Sequence, residues 1–403
     1  MTPTTGTQAV ATLAAFSMLL GGCGGRAPAA GSPPATQRSV PSGKITSSGF
    51  DCPEPVPRSQ LSTKELNIYT WTTYVPTDFI ECFQLVYEAK VKHDEYSSME
   101  EMSAAVEADP TAYDLIQPTD FAVTPLIRKG QLAPLDHNRL AVLANFSRHY
   151  LNLPYDPGNR YTVPYENGTD AILVNADKVK NVPKSWSDLW NSEFTGRIVA
   201  ADDERAIIGL TLLTLGYDVN TTDAGELEQS RRALMLLSPN IKEFDSDSPH
   251  SRLLAGEVDL GETWTGEAFL AQLQMPSALY VYPTEGAILW QDNWALLKQA
   301  RNADAAYAWI NYTMQADMFW MMLTNFPYTN PNDAALAYAK GNPMQVTDVN
   351  GTVTTLAAVY NAYVNSTTTN PPPEVIRAGH RIDDVGTAVE LYDKIWAELM
   401  SGR

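Results

Sequence analysis

Apolar and polar positions along the chain fall into blocks that predict strands and helices in turn. Leu66-Asn67-Ile68-Tyr69 reads as a first strand, ending at a turn over Trp71-Thr72-Thr73-Tyr74. Asp78 and Glu81 then form a D-x-x-E capping signal. Phe79, Ile80, Phe83, Val86 and Tyr87 follow at helical spacing and predict a buried helix face. Val91 to Tyr96 offers a second strand, Met99 to Glu107 a second helix, and Tyr113-Asp114-Leu115-Ile116-Gln117 a third strand closed by Pro118. Strands alternating with helices predict parallel sheets of the α/β class.

The rhythm continues beyond Tyr165. Ala171 to Asn175 and Arg197 to Ala201 read as strands, Glu204 to Leu215 as a helix closed by Gly216, and Glu226 to Leu237 as another helix. Ser185-Trp186-Ser187-Asp188-Leu189-Trp190 predicts a helix start with both tryptophans in the core. Trp294, Trp309 and Trp320 read as packing residues as well. Two α/β lobes with a cleft between them are the expected outcome, and such clefts are where small ligands bind. No fixed-period repeat is visible, which excludes solenoids and propellers.

The N-terminus departs from this pattern. Ala9 to Leu20 is almost wholly apolar and is followed by Gly21-Gly22-Cys23. That run is too short for a membrane span of ~20 residues and fits the core of an export signal. The small residues before Cys23 resemble a bacterial lipobox, in which the cysteine becomes the lipidated first residue. One departure is that no Lys or Arg precedes Arg26. Gly24 to Ser48 is rich in Gly, Ala, Pro and Ser and predicts a flexible tether. With Cys23 lipidated, Cys52 and Cys82 remain, and in an oxidising compartment they are the expected disulfide pair.

Composition narrows the function. A chain of 403 residues suits two domains, and 44% apolar with 19% charged residues is globular. The formal net charge of −19 argues against a nucleic-acid partner and favours encounter with small cations. The sequence carries no G-x-S-x-G elbow, no H-E-x-x-H and no phosphate-binding loop, and its five histidines are scattered without metal-site spacing. No enzyme activity, metal or cofactor is therefore expected, although two carboxylates brought together by folding would leave no trace in the sequence.

Several segments, in order, resemble the polyamine-binding proteins of ABC importers, the spermidine and putrescine receptors with the type II periplasmic-binding fold. They are Tyr69-Thr70-Trp71-Thr72-Thr73-Tyr74-Val75-Pro76, Tyr113-Asp114-Leu115-Ile116-Gln117-Pro118-Thr119, Tyr161-Thr162-Val163-Pro164-Tyr165, Ser185 to Trp190, Gly256-Glu257-Val258-Asp259-Leu260, Trp264-Thr265-Gly266-Glu267, Pro283-Thr284-Glu285-Gly286-Ala287 and Leu289-Trp290-Gln291-Asp292. The resemblance runs from about Leu66 to Arg403. It implies two lobes, each a mainly parallel sheet flanked by helices, with the ligand cleft between them. Residues 1–22 would be a signal peptide and 23–60 the lipidated cysteine and tether. Residues 61–168 with 292–338 would form the first lobe, and 169–291 with 339–403 the second. The implied role is an extracytoplasmic, lipid-anchored, monomeric receptor that delivers a polyamine to an ABC permease.

The resemblance also implies the site. Trp71, Tyr74, Phe121, Trp264, Trp290 and Tyr328 would be its walls, Thr72 and Thr119 its hydroxyls, and Asp203 and Asp292 its carboxylates. Such a site suits a polyamine, whose ammonium groups need carboxylates and whose methylenes need apolar walls. Glu267 stands where putrescine receptors carry an aspartate and spermidine receptors a serine, which tilts the expectation towards a short diamine. The departures are Thr73 and Ala206, where family members carry glutamates, and Ile382, where a glutamine is expected. Asp120 and Glu267 are the acids that would compensate. A different small amine, an amino-acid-like ligand, or a non-transport interaction role are the alternatives.

Overall fold

A computed structural model describes residues 40–402 except Pro327 and Asn350; Cys23, the predicted signal peptide and the first part of the predicted tether lie outside the described residues. The chain opens with β1 (Pro41–Ile45), β2 (Asp51–Pro53), β3 (Glu65–Trp71), α1 (Thr77–Tyr87), β4 (Lys90–Tyr96), α2 (Met99–Ala108), β5 (Leu115–Ile116) and α3 (Asp120–Arg128). Next come the long β6 (Thr162–Asn175), β7 (Ile198–Ala200), α4 (Glu204–Thr214), α5 (Ala224–Leu237), β8 (Ile241–Phe244), α6 (Pro249–Leu254), β9 (Leu260–Trp264), α7 (Thr265–Gln274) and β10 (Ala278–Val281). A second long strand, β11 (Ile288–Leu296), leads into α8 (Ala303–Thr313), α9 (Ala316–Phe319), α10 (Met322–Asn325) and α11 (Asp333–Ala339). The chain ends with β12 (Gln345–Thr347), β13 (Val353–Thr355), α12 (Leu356–Asn365), α13 (Pro373–Ala378), β14 (His380–Arg381) and α14 (Val389–Ser401).

The fold is α/β and two-lobed, and each lobe has its own parallel set of strands. β3 pairs parallel with β4 and β5, and β7 pairs parallel with β8 and β9. The two sets are one sheet, because β6 and β11 run antiparallel to each other between them. Every residue of β6 is buried. A strand covered on both faces loses the polar–apolar alternation that a half-exposed strand shows.

Two main hydrophobic cores flank this pair. The first gathers Phe79 and Phe83 from α1, Tyr165, Trp294, Trp309, Tyr312 and Phe319. The second gathers Trp186, Ile207, Ile208, Leu212, Leu234, Tyr392 and Ile395. Trp320 joins the first core, and Trp190 packs half-buried against the second with Nε1 donating to the Ala233 carbonyl. Trp186 to Trp190 is a 3-10 turn rather than the start of an α-helix, held by a Ser185–Asp188 capping box.

The structure differs from the sequence reading in three places. Residues 41–53 are not tether: β1 and β2 pair antiparallel, and Cys52 is disulfide-bonded to Cys82 of α1. Asp78 and Glu81 do not cap α1, whose N-cap is Pro76; they accept hydrogen bonds from Ser48 and Ser47 of the hairpin. The last crossover lies beyond Tyr338, because Ala339, Val346, Leu356 and Tyr363 all pack into the first core. Tyr363 also accepts a bond from the Asn330 backbone, so the chain leaves the first lobe only after α12. Among the described residues no helix is long and apolar enough to cross a membrane.

The Cys52–Cys82 bond closes a loop 30 residues long. Its removal by Cys52→Ser with Cys82→Ser is expected to cost roughly 3–4 kcal/mol. Chemical denaturation of the variant against the oxidised protein measures this, and equal midpoints would refute it.

Candidate functional site

The long strand pair fixes the site by register. Asp292 of β11 lies opposite Glu166 of β6, Trp290 opposite Gly168, and Ile288 opposite Asp170. On the other side of β6, Asp170 lies opposite Trp264 of β9. Residues opposite one another share a face of the sheet, and so do alternate residues along a strand. One face therefore carries Glu166, Gly168, Asp170, Trp264, Trp290 and Asp292. A one-residue bulge at Tyr165 adjoins this row.

Aromatic rings wall the row. The Trp290 ring lies over Gly168, where any side chain would overlap it, and its Nε1 donates to Asp170 at 3.0 Å. Tyr328 meets Trp290 edge-on at 5.4 Å and Tyr74 at 5.6 Å. Trp71, at the end of β3, packs at 4.9 Å from Tyr96.

The acids are buried and short of cations. Asp292 accepts from Thr119 Oγ1 at 2.5 Å and from the Tyr74 hydroxyl at 2.9 Å. Burial still pushes its carboxyl up to about 6. Glu166 is fully buried and neither carboxylate oxygen has a hydrogen-bond partner among the described residues. Burial, then the Asp292 charge, drives it well above the usual carboxylate range. Asp170 is raised by burial and by Glu262 and Asp203, with the Trp290 bond opposing. Glu262 accepts only from the Ala201 backbone at 2.9 Å, and burial pushes it up to about 8. Asp203 caps α4 through the Ala206 N–H and is also raised by burial.

The structure sorts the residues expected from sequence. Trp71, Tyr74, Thr119, Asp203, Trp264, Trp290, Asp292 and Tyr328 gather on or around the strand face. Phe121 is half-buried and packs on both the second core and the smaller core beneath α3. Thr72 is exposed and its hydroxyl turns to Glu95. The two acids expected to compensate are already engaged. Asp120 pairs with Arg381 at 2.8 Å, although burial outweighs that charge and holds its carboxyl near 7. Glu267 lies 2.5 Å from Nδ1 of His250. Sequence reasoning missed Glu166, Asp170 and Glu262. Glu166 and Asp170 lie in the polar stretch Glu166-Asn167-Gly168-Thr169-Asp170, which gives no strand signal ahead of Ala171-Ile172-Leu173-Val174.

A family model of bacterial extracellular solute-binding proteins matches residues 113–352. The chain belongs to that family. It is 34% identical over 342 residues to the spermidine/putrescine-binding periplasmic protein of Escherichia coli, covering 84% of this chain and 92% of that one. Among solved structures, the spermidine/putrescine ABC transporter substrate-binding protein of Streptococcus pneumoniae superposes with a TM-score of 0.69 at 26% identity, covering 84% of this chain and 99% of that one. A lipoprotein of Treponema pallidum gives a TM-score of 0.69 at 26% identity, covering 83% and 99%. The protein is thus a substrate-binding transport component and not an enzyme.

In this solute-binding protein the buried acids set a pH dependence. Asp292 and Asp120 rise from 3.8 to about 6 and about 7, and Glu262 from 4.5 to about 8. Each holds its proton more tightly folded than unfolded. Their stabilisation is complete below the unfolded carboxylate values and is lost as pH rises through about 6 to 8. The ligand-free protein is expected to melt at least about 4 °C higher at pH 5.5 than at pH 8.5. A melting temperature that climbs over the same interval would contradict this. Gly168→Ala should force Trp290 off the strand and cost about 1–3 kcal/mol, read as a lower unfolding midpoint with a shifted tryptophan emission. An unchanged emission would show that the ring does not rest there.

Proposed function

We propose that this solute-binding protein captures a polyamine of the putrescine–spermidine class and passes it to the permease of an ABC importer. The observation that carries this reading is the row of buried carboxylates, Asp292, Glu166, Asp170 and Glu262, with no cation bonded to them among the described residues and tryptophan and tyrosine rings alongside. A buried carboxylate without a counter-charge is costly, and an ammonium group on an apolar chain relieves that cost. The rings suit the methylenes and add cation–π attraction. The curated relative in Escherichia coli is named for binding spermidine and putrescine, which agrees with this chemistry.

Three buried acids, Glu166, Asp170 and Glu262, more than offset the two acids missing at Thr73 and Ala206. A carboxylate-bearing, amino-acid-like ligand would need a free cation on the same face. Arg381 is committed to Asp120, and Arg205 donates to the Asp383 carbonyl and to Asn220. The excess of acid therefore favours a cation. We further infer anchoring through a lipid on Cys23, in keeping with the Treponema lipoprotein, and action as a monomer.

Calorimetric titration of the full chain, solubilised in mild detergent, with putrescine, cadaverine, spermidine and spermine tests the proposal. One-to-one binding near micromolar, about −8 kcal/mol, is expected. Asp292→Asn should weaken it roughly 10–100-fold, the worth of a charge-assisted hydrogen bond. No heat with any of the four, from folded protein, would refute the polyamine reading.

A further inference from the structure

Glu166 is the group in the molecule whose chemistry is least accounted for by its surroundings. Its residue is 0% exposed and both carboxylate oxygens lack a hydrogen-bond partner among the described residues. A native fold rarely leaves such a group unsatisfied without a use for it. The titratable groups that act with it are Asp292 on β11 and the hydroxyls of Tyr74, Tyr150, Tyr165, Tyr328 and Tyr363, and none of these is a cation. Asp292, directly across the strand pair, already has two hydroxyl donors, so its remaining need is for positive charge.

We propose that Glu166 is a ligand-binding carboxylate that shares one terminal ammonium of the bound amine with Asp292. This rests on the polyamine reading above and deepens it. The second end of the amine falls to Asp170 and Glu262, further along the same face. Glu166 and Asp170 are four residues apart on one strand, about 13 Å at roughly 3.3 Å per residue, with Trp290 and Gly168 between them. An extended amine laid along β6 over the Trp290 ring meets a pair of acids at each end. That spacing reverses the tilt towards a short diamine, whose basis, Glu267, is bonded to His250.

The placement has a second consequence. In the empty site Glu166 and Asp292 lie opposite each other across the strands without a cation, so together they retain a proton. An arriving ammonium favours both charged forms, and that proton is released to solvent as the amine binds.

The test compares wild type, Glu166→Gln, Glu166→Met and Asp292→Asn, each as the full chain. Each is titrated with spermidine and putrescine in two buffers of different ionisation enthalpy, with thermal unfolding alongside. Both Glu166 variants are expected to bind spermidine roughly 10–100-fold more weakly. They should release fewer protons than wild type and unfold at an equal or higher temperature, since a buried unpaired acid has been removed. Wild-type affinity and wild-type proton release in both Glu166 variants, with loss only in Asp292→Asn, would overturn the role of Glu166 and leave the polyamine reading intact. Absence of amine binding by the wild type would overturn both.

Discussion

The site depends on the antiparallel pairing of β6 and β11, the two strands shared by both lobes. Their hydrogen bonds set which side chains meet across the cleft floor, and a shift of one residue would turn every acid on that face to the other. The pairing is held from behind by the first core, where Tyr165 stacks edge-on with Trp294 and Trp294 with Trp309. It is held above by Tyr74, whose backbone carbonyl accepts from the Tyr165 hydroxyl while its own hydroxyl donates to Asp292. A single tyrosine thus ties the strand bulge to the acid it presents. Because both lobes share these strands, any relative motion of the lobes must bend the chain within this pair.

Charge acts on the contact between the lobes in both directions. Two ion pairs join α3 of the first lobe to the segment around β14 of the second, Asp120 with Arg381 and Arg128 with Asp384. Against them stand the unpaired acids of the strand face. Glu204 adds to the opposition, its carboxyl pushed up to about 8 by burial and by Asp393 and Glu100. Removing carboxylates from water without a counter-ion is unfavourable, so each must take a proton or a cation when the lobes meet. A bound cation would offset that cost.

The elements were legible because the apolar spacing of α1 and the short apolar runs of β3 and β5 are local signals. Motif resemblance singled out the aromatic residues and Asp292 that the structure gathers around this strand face. What was not legible depended on tertiary placement. Asp120 and Glu267 looked free in sequence, but each has a basic partner, Arg381 or His250, that only folding brings near. The hairpin at residues 41–53 has tether-like composition and is ordered by Cys82, Asp78 and Glu81 of α1. Glu166, Asp170 and Glu262 were missed because an acid within a strand ordinarily marks a solvated face. Only the long-range pairing of β6 with β9 and β11 reveals that this strand has no solvated face.

The departures from the resembling receptors gain a physical meaning here. Thr73 sits at φ 49° in a tight turn, with its N–H given to Glu95, and Ala206 gives its N–H to Asp203 at the start of α4. Both lie at element ends, Thr73 just past β3 and Ala206 in the first turn of α4. Glu166, Asp170 and Glu262 sit instead on strands, at positions set by the ladder. A carboxylate on a loop or helix end can turn to water when the cleft is empty; one at the centre of a buried sheet cannot. Acids held on these strands are therefore preorganised, and any cation that met them would have to displace their protons.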